Sequence, residues 1–387
     1  WYMNQNKILD TFDNARFGKF HITLMVLAGF CWMLVAYGVT IVGFLSTSIR
    51  EEWQVSASAI GWLASIGMLG MFLGAVIIGV LSDQFGRRNM LALTLGFLGV
   101  AFIASSFAWN FPSLLLLRFL TGLGLGAILP VSSTLIAEFS PSKYRGAMSV
   151  TMNACWGVGG TLAALAGYSL VLNQGWRPAL LIGGTALIIS PLVRLLLPES
   201  LRFLLGKGKW KEAEGEFLRV HRQLTGESQA IHLERYQPVD IVIGRNGGIW
   251  SRSFARITFA LWVLWIALNF FYQGAFVWLP TLLTGTQFSE GRSFLMTVLI
   301  SLGQIPGTLL AAFLADRMSR RKLLFISLAL LTAGSLLFGL SQKDAWVLII
   351  GFLLMVFNGM AWGMAYPFSS ELYPTRIRGT ATGWATG

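Results

Sequence analysis

The 387-residue chain is 55% hydrophobic and only 12% charged, about half the charged fraction that wets a soluble domain of this length, so a soluble globular protein is excluded. A net charge of +12 would suit a polynucleotide partner, but the basic residues sit in loops between apolar runs, not in one patch or arm. Trp (15) and Gly (43) are abundant, as in membrane bundles with interfacial anchors and closely approaching helices.

Apolar runs of roughly 20 residues, each long enough for a ~30 Å hydrocarbon core, predict spans at 22–48, 57–82, 89–109, 112–137, 146–172, 177–197, 257–283, 292–315, 323–341 and 345–370, with an eleventh starting near Ile377. The loops alternate in charge. One set holds Lys7, Arg16 and Lys19; Arg87 and Arg88; Lys143 and Arg145; a basic stretch from Arg202 to Arg256; Arg317, Arg320, Arg321 and Lys322; and Arg376 with Arg378. The other set holds Arg50, Arg177, Arg292 and Lys343. The positive-inside rule then places the N-terminus and the long central loop in the cytoplasm of a multi-pass plasma (inner) membrane protein. The expected partners are the lipid bilayer and a small molecule, with no nucleic acid, and the chain is expected to be a monomer. Cys31 and Cys155 read as small apolar residues inside spans, and His21, His221 and His232 as scattered outside them. No metal site, cofactor motif or catalytic constellation is apparent.

The chain repeats itself. Gly79-Val-Leu-Ser-Asp83-Gln-Phe-Gly86-Arg87-Arg88 recurs as Ala312-Phe-Leu-Ala-Asp316-Arg-Met-Ser319-Arg320-Arg321. Glu138-Phe-Ser-Pro141-Ser-Lys-Tyr-Arg145-Gly146 recurs as Glu371-Leu-Tyr-Pro374-Thr-Arg-Ile-Arg378-Gly379. Both recurrences share one offset along the chain: Asp83 stands to Asp316 as Glu138 stands to Glu371 and Arg145 to Arg378. Six spans precede the central loop, so the halves read as parallel repeats related by an axis along the membrane normal. The predicted organisation is an N-terminal six-helix bundle at 1–197, a linker at 198–256 and a C-terminal bundle at 257–387. The expected all-α membrane fold has twelve helices, with the last one and a half absent from this chain. Trp210, Ala213, Phe217, Val220 and Leu224 fall near helical spacing and predict a short amphipathic helix in the linker; the remainder reads as loop.

These motifs resemble the major facilitator superfamily. The Gly-x-Leu-x-Asp-x-x-Gly-Arg-Arg loop is similar to its signature, as is Arg118-Phe-Leu-Thr-Gly122-Leu-Gly124-Leu-Gly126. Pro198-Glu199-Ser200-Leu-Arg202 and Glu371-Leu-Tyr-Pro-Thr-Arg-Ile-Arg-Gly379 are similar to the branch of sugar porters, organic-ion transporters, aromatic-acid/proton symporters and nicotinate permeases. The likeness to bacterial nicotinate permeases runs along nearly the whole chain, including Leu129-Pro-Val-Ser-Ser-Thr134, Tyr272-Gln-Gly-Ala-Phe-Val-Trp278-Leu-Pro280 and Phe357-Asn358-Gly-Met-Ala-Trp362-Gly. The resemblance implies alternating access around a midplane site. It also implies acidic residues in a Trp-x-x-Asp-like stretch of the first span, where this chain has Trp32-Met-Leu-Val-Ala-Tyr37-Gly, and Glu in the fourth span, where it has Ile128. Proton symport is therefore not inherited from the likeness.

Two sets of residues carry the functional expectation. The charges at the span ends are Asp83, Glu138, Asp316 and Glu371, beside Arg87, Arg88, Arg145, Arg320, Arg321 and Arg378, with Glu199 and Arg202 in the linker. They read as a cytoplasmic gate, ion pairs that hold the halves together in the outward-open state and separate when the inside opens, or as topology-setting charges facing headgroups. The second set lies inside the spans. Asn358, Trp362 and Tyr366 follow i, i+4, i+8; Trp265, Asn269, Tyr272 and Phe276 follow i, i+4, i+7, i+11, with Gln273 beside them. Trp32, Tyr37 and Thr40 cluster in the first span, Asn153 and Trp156 lie in the fifth, and Arg118 is the one basic residue well inside a span. The resemblance places these spans around a central cavity. Rings and amides there suit a small aromatic or heterocyclic solute, while interhelical packing is the structural alternative. The expected function is transport of a nicotinate-like or aromatic organic acid. A neutral sugar or polyol is the alternative within the class, and a non-transporting membrane sensor the alternative outside it.

Overall fold

The computed structural model describes residues 2–3, 12–13, 15–225, 232–233, 250–251, 254–284, 288–315, 317–341 and 343–373. Ten helices among them are long and apolar enough to cross a membrane: Lys19–Trp53, Ala57–Phe85, Arg87–Ser106, Phe111–Phe139, Arg145–Gln174, Trp176–Leu196, Ala255–Gly274, Glu290–Ala315, Arg320–Gly339 and Asp344–Ser369. They correspond one to one with the ten predicted spans and are called the first to tenth spans below. The start of an eleventh span near Ile377, Asp316, Arg378, the linker loop at 226–231 and 234–249, and the side chain of Phe276 lie outside the described residues.

Local chemistry sets the helix ends. Ser56 caps the second span by accepting from the Ala59 N–H, and Gly86, at φ 97°, turns the chain into the third. Asn110 and Ser113 form a capping box at the start of the fourth span. Pro130 interrupts that helix, and the hydroxyls of Ser132, Ser133 and Thr134 donate to the carbonyls of Ile128, Leu129 and Pro130 around it. Hydropathy did not foretell the breaks inside spans. The fifth passes through a π-helical turn at Gly167–Val171, and the seventh through another at Tyr272–Val277 before resuming at Leu279–Thr284.

Two expectations need correction. His21 does not lie outside the spans: it is in the first helical turns of the first span, fully buried against Phe17 and Phe20, because that helix starts earlier than hydropathy indicated. Tyr2–Met3 and His232–Leu233 pair as a two-residue parallel ladder, which leaves the all-α class unchanged. The amphipathic linker helix is present at Trp210–Thr225 with Ala213, Phe217 and Val220 buried, but a second, shorter helix at Leu201–Gly206 precedes it, capped by Ser200. Phe12 packs edge-on against both Phe217 and Phe139, which fastens the linker helix to the fourth span.

The molecule divides into two compact units. The first contains Trp1–Gly38, Val55–Met152 and Leu180–Asp240; the second contains Val39–Gln54, Asn153–Ala179 and Ile241–Gly387. In the first unit the second and fourth spans meet backbone to backbone: a Cβ on Gly70, Gly74 or Gly126 would run into the carbonyl oxygen of Phe119, Leu123 or Met71. In the second unit the eighth and tenth spans do the same, with Gly303, Gly307 and Gly359 against the carbonyls of Phe352, Val356 and Gln304. Every glycine and every carbonyl of the second seam stands at the repeat offset, that of Asp83 to Asp316, from its counterpart in the first. The repeat is thus a repeat of atomic contacts.

A specific expectation follows from this seam. Gly74→Val or Gly307→Val forces a side chain into main-chain atoms and should destabilise the folded protein by at least ~1–3 kcal/mol, the usual range for overpacking. Gly79→Val, where an added Cβ meets nothing within 4 Å, should be close to neutral. Melting temperatures of the three variants in detergent decide the matter; equal values would show that the seam carries no strain.

Candidate functional site

The seventh, tenth and fifth spans of the second unit bring five predicted aromatic residues together. Trp265 sits edge-on to Tyr366 at 4.8 Å between ring centroids and to Trp362 at 5.5 Å. Trp362 in turn contacts Tyr366 and Tyr272, both at 6.4 Å, and Tyr272 contacts Trp156 at 6.1 Å. The Tyr272 hydroxyl is a hub: it accepts from Trp156 Nε1 at 2.9 Å and shares a hydrogen bond with Thr40 of the first span at 3.3 Å. Gln273 is half-buried beside it, and Asn153 is half-buried one turn before Trp156. Asn269 is exposed and donates to the Trp265 carbonyl of its own helix, so its amide is engaged locally. Asn358 is fully buried below Trp362 on the same helix.

Around this cluster runs a seam of small hydroxyl groups that sequence reasoning missed. Ser46 bonds Thr281 at 3.1 Å, Thr47 donates to the Glu290 carboxylate at 2.6 Å, and Ser301 donates to Thr161 at 3.3 Å. Gly43 lies directly against the Val277 carbonyl at the end of the π-helical turn. The seam joins the first and fifth spans to the seventh and eighth within this unit. Isolated Ser and Thr residues have no period, which is why no motif announced them.

Trp32, Tyr37 and Arg118 belong to the first unit. Trp32 donates from Nε1 to Ser132 Oγ at 3.2 Å, tying the first span to the fourth. Its counterpart in the second repeat, Trp265, donates to Ser369 Oγ at 3.0 Å and ties the seventh span to the tenth. Tyr37 is buried. Arg118 is 8% exposed, Gly67 clears its approach, and among the described residues its Nε has no hydrogen-bond partner and its guanidinium no ion pair. The same contact is reversed in the second unit: Ile300 stands where Gly67 does, and packs on Gly351, which stands where Arg118 does.

The gate charges are expected to hold the halves together; among the described residues the pairs they form lie instead inside each repeat, because each Arg sits at the start of a span beside the acid that ends the next. Arg87 pairs with Glu138, and Arg320 with Glu371, again at the repeat offset, so each pair joins the start of one span to the end of the next. Asp83 is exposed and 3.6 Å from Arg87. Arg145 binds Asp13 at 2.5 Å. Arg88 binds Glu216 of the linker helix at 2.6 Å, while its backbone N–H donates to Glu199. Glu199 is buried and also accepts from Asn89 and Ser200, so it caps the N-terminus of the third span, where a carboxylate is favoured. Arg321 is exposed. Glu216 and Asp13 were not foreseen as partners, because nothing in their spacing marks them.

The comparisons with known proteins agree with this architecture. Residues 22–387 match the profile of the Major Facilitator Superfamily. The niacin transporter NiaP of Acinetobacter baylyi is 35% identical over 98% of this chain and 86% of its own length. The 4-hydroxybenzoate transporter PcaK of the same organism is 29% identical over 100% of this chain and 86% of its own. The xylose transporter XylE from E. coli, in a partially occluded inward-open conformation, superposes with a TM-score of 0.75 at 19% identity, covering 95% of this chain and 91% of that one, which is a likeness of fold. With two glycine seams, paired charges and ten membrane-length helices repeated in parallel, the chain belongs to the Major Facilitator Superfamily and is a multi-pass membrane transporter.

Proposed function

We propose that this protein carries a small aromatic or heteroaromatic organic acid, nicotinate-like in size, across the cell membrane by alternating access. The aromatic cluster of Trp156, Trp265, Tyr272, Trp362 and Tyr366 carries the reading, since edge-on rings offer a flat solute both faces and edges to pack against. Relatives named for niacin and for 4-hydroxybenzoate support it, both solutes being ring acids. Arg118 supports an anion over a cation. The equivalent contact in the other repeat is filled by Ile300 and Gly351, so the fold does not need a charge there, and a buried guanidinium with no ion pair among the described residues favours a carboxylate. Trp32, Tyr37, Asn153, Asn269, Gln273 and Asn358 complete the proposed binding set.

The protein works as a monomer of two repeats, 1–197 and 257–387, joined by the 198–256 linker, with the N-terminus and linker in the cytoplasm. The charges on the linker side act at the gate. Arg87–Glu138 and Arg320–Glu371 brace their own repeats, and Asp83, Arg88, Arg145, Glu199, Arg321, Asp316 and Arg378 complete the set.

Two measurements test this. Purified protein in liposomes should take up nicotinate or benzoate saturably, and Arg118→Leu should weaken that uptake ~10–100-fold, the value of ~1.5–3 kcal/mol for a charge-assisted bond. Uptake of xylose with none of either acid would sink the aromatic-acid reading in favour of the sugar alternative, and binding without flux would favour a sensor. For the gate, Glu138→Gln combined with Glu371→Gln should broaden distance distributions between spin labels on the linker-side loops; unchanged distributions would remove those residues from gating.

A further inference from the structure

Three tryptophans in the aromatic cluster differ in one respect. The indole N–H of Trp156 is engaged by Tyr272 and that of Trp265 by Ser369. Trp362 Nε1 is buried and has no hydrogen-bond partner among the described residues. One helical turn away on the same ridge, Asn358 is 0% exposed; among the described residues its Oδ1 has no partner and its Nδ2 reaches only the Met355 sulfur at 3.9 Å. Buried polar groups in hydrocarbon are nearly always paired, so two adjacent exceptions need a reason.

The repeat supplies a second, independent observation. The equivalent positions in the first repeat, on the fourth span, are Leu125 and Leu129, and both spans sit on the same glycine seam. A leucine therefore satisfies the fold at each place, and the polar residues are not there for helix packing. Trp362 also stands at the centre of the cluster, in contact with Trp265, Tyr272 and Tyr366.

We infer that two donors, Trp362 Nε1 and Asn358 Nδ2, the latter held only by a long sulfur contact, are the polar contacts by which the tenth span recognises an oxygen of a ring acid, while Trp265 and Trp156, held by their own hydrogen bonds, serve as ring surfaces. This rests on the aromatic-acid reading above and deepens it: the substrate must present hydrogen-bonding oxygens to this ridge, and an unsubstituted arene is a poor ligand. Tryptophan at 362 acts as a donor as well as a ring.

The test uses purified wild-type protein and the variants Trp362→Phe, Asn358→Leu and Trp265→Phe, with nicotinate and benzoate as probes in equilibrium binding and thermal melting. Trp362→Phe keeps a ring and should lose ~10-fold in affinity for the acid with a smaller fall in melting temperature than Trp265→Phe, because packing is trimmed but no internal hydrogen bond is broken. Asn358→Leu, which installs the residue of the first repeat, should behave alike. Trp265→Phe should show the reverse, a lowered melting temperature with a smaller change in affinity. Unchanged acid affinity in both Trp362→Phe and Asn358→Leu overturns the inference and leaves the aromatic-acid reading intact. Binding of neither acid by the wild-type protein overturns both.

Discussion

Glycine-mediated contact between backbones is the constraint on which both units depend. In a bilayer, lipid tails are as apolar as side chains, so helices gain nothing from merely burying hydrocarbon against each other. Association has to come from close van der Waals contact and from Cα–H groups facing carbonyls, and both require that side chains be absent at the crossing. Gly70, Gly74 and Gly126 provide one such crossing, and Gly303, Gly307 and Gly359 the other. The pairs they create, second with fourth span and eighth with tenth, are the rigid parts against which the remaining spans are arranged. They also fix the height and rotation of the tenth span, and through it the positions of Asn358, Trp362 and Tyr366.

Because the chain carries two copies of one design, the comparison between copies separates scaffold from function. Where the copies agree, the contact belongs to the scaffold: the glycine seams, and the Trp32 and Trp265 indoles donating to a serine on the partner span. Where they disagree, a polar group stands in a slot that an apolar one fills elsewhere. Arg118 against Gly351, Asn358 against Leu125 and Trp362 against Leu129 are such places. Each is costly in hydrocarbon: Arg118 and Asn358 are buried, and so is the Trp362 Nε1 atom.

The second unit is closed by neutral hydrogen bonds that are individually weak, on the order of 0.5–1.5 kcal/mol each. Thr40–Tyr272, Ser46–Thr281 and Thr161–Ser301 contain no charge, and Glu290 contributes the only carboxylate of the set, to Thr47. Apart from the Thr47–Glu290 contact, such a seam places no ion in low dielectric. The π-helical turn at Tyr272–Val277 lies on it, with Tyr272 in the aromatic cluster at one end and Val277 against Gly43 at the other. Ring contacts and closure thus meet in one short turn, at a place where helical hydrogen bonding is already irregular.

Amino-acid order alone determined the spans, their number up to the tenth, the parallel duplication and the ridge of Asn358, Trp362 and Tyr366, because hydropathy, a fixed offset and helical spacing are one-dimensional signals. The glycine seams were legible too, had the offset been followed from the charged loops into the spans. Tertiary structure alone decided which groups are engaged. Trp156, Trp265 and Trp362 are indistinguishable in a sequence, yet two of their N–H groups find acceptors and one has none among the described residues. Glu199 reads as a loop acid but caps a helix, and Ser46, Thr47 and Thr281 read as nothing until spans distant along the chain come side by side. Hydrogen-bond partnership depends on distances between helices, which no local pattern encodes.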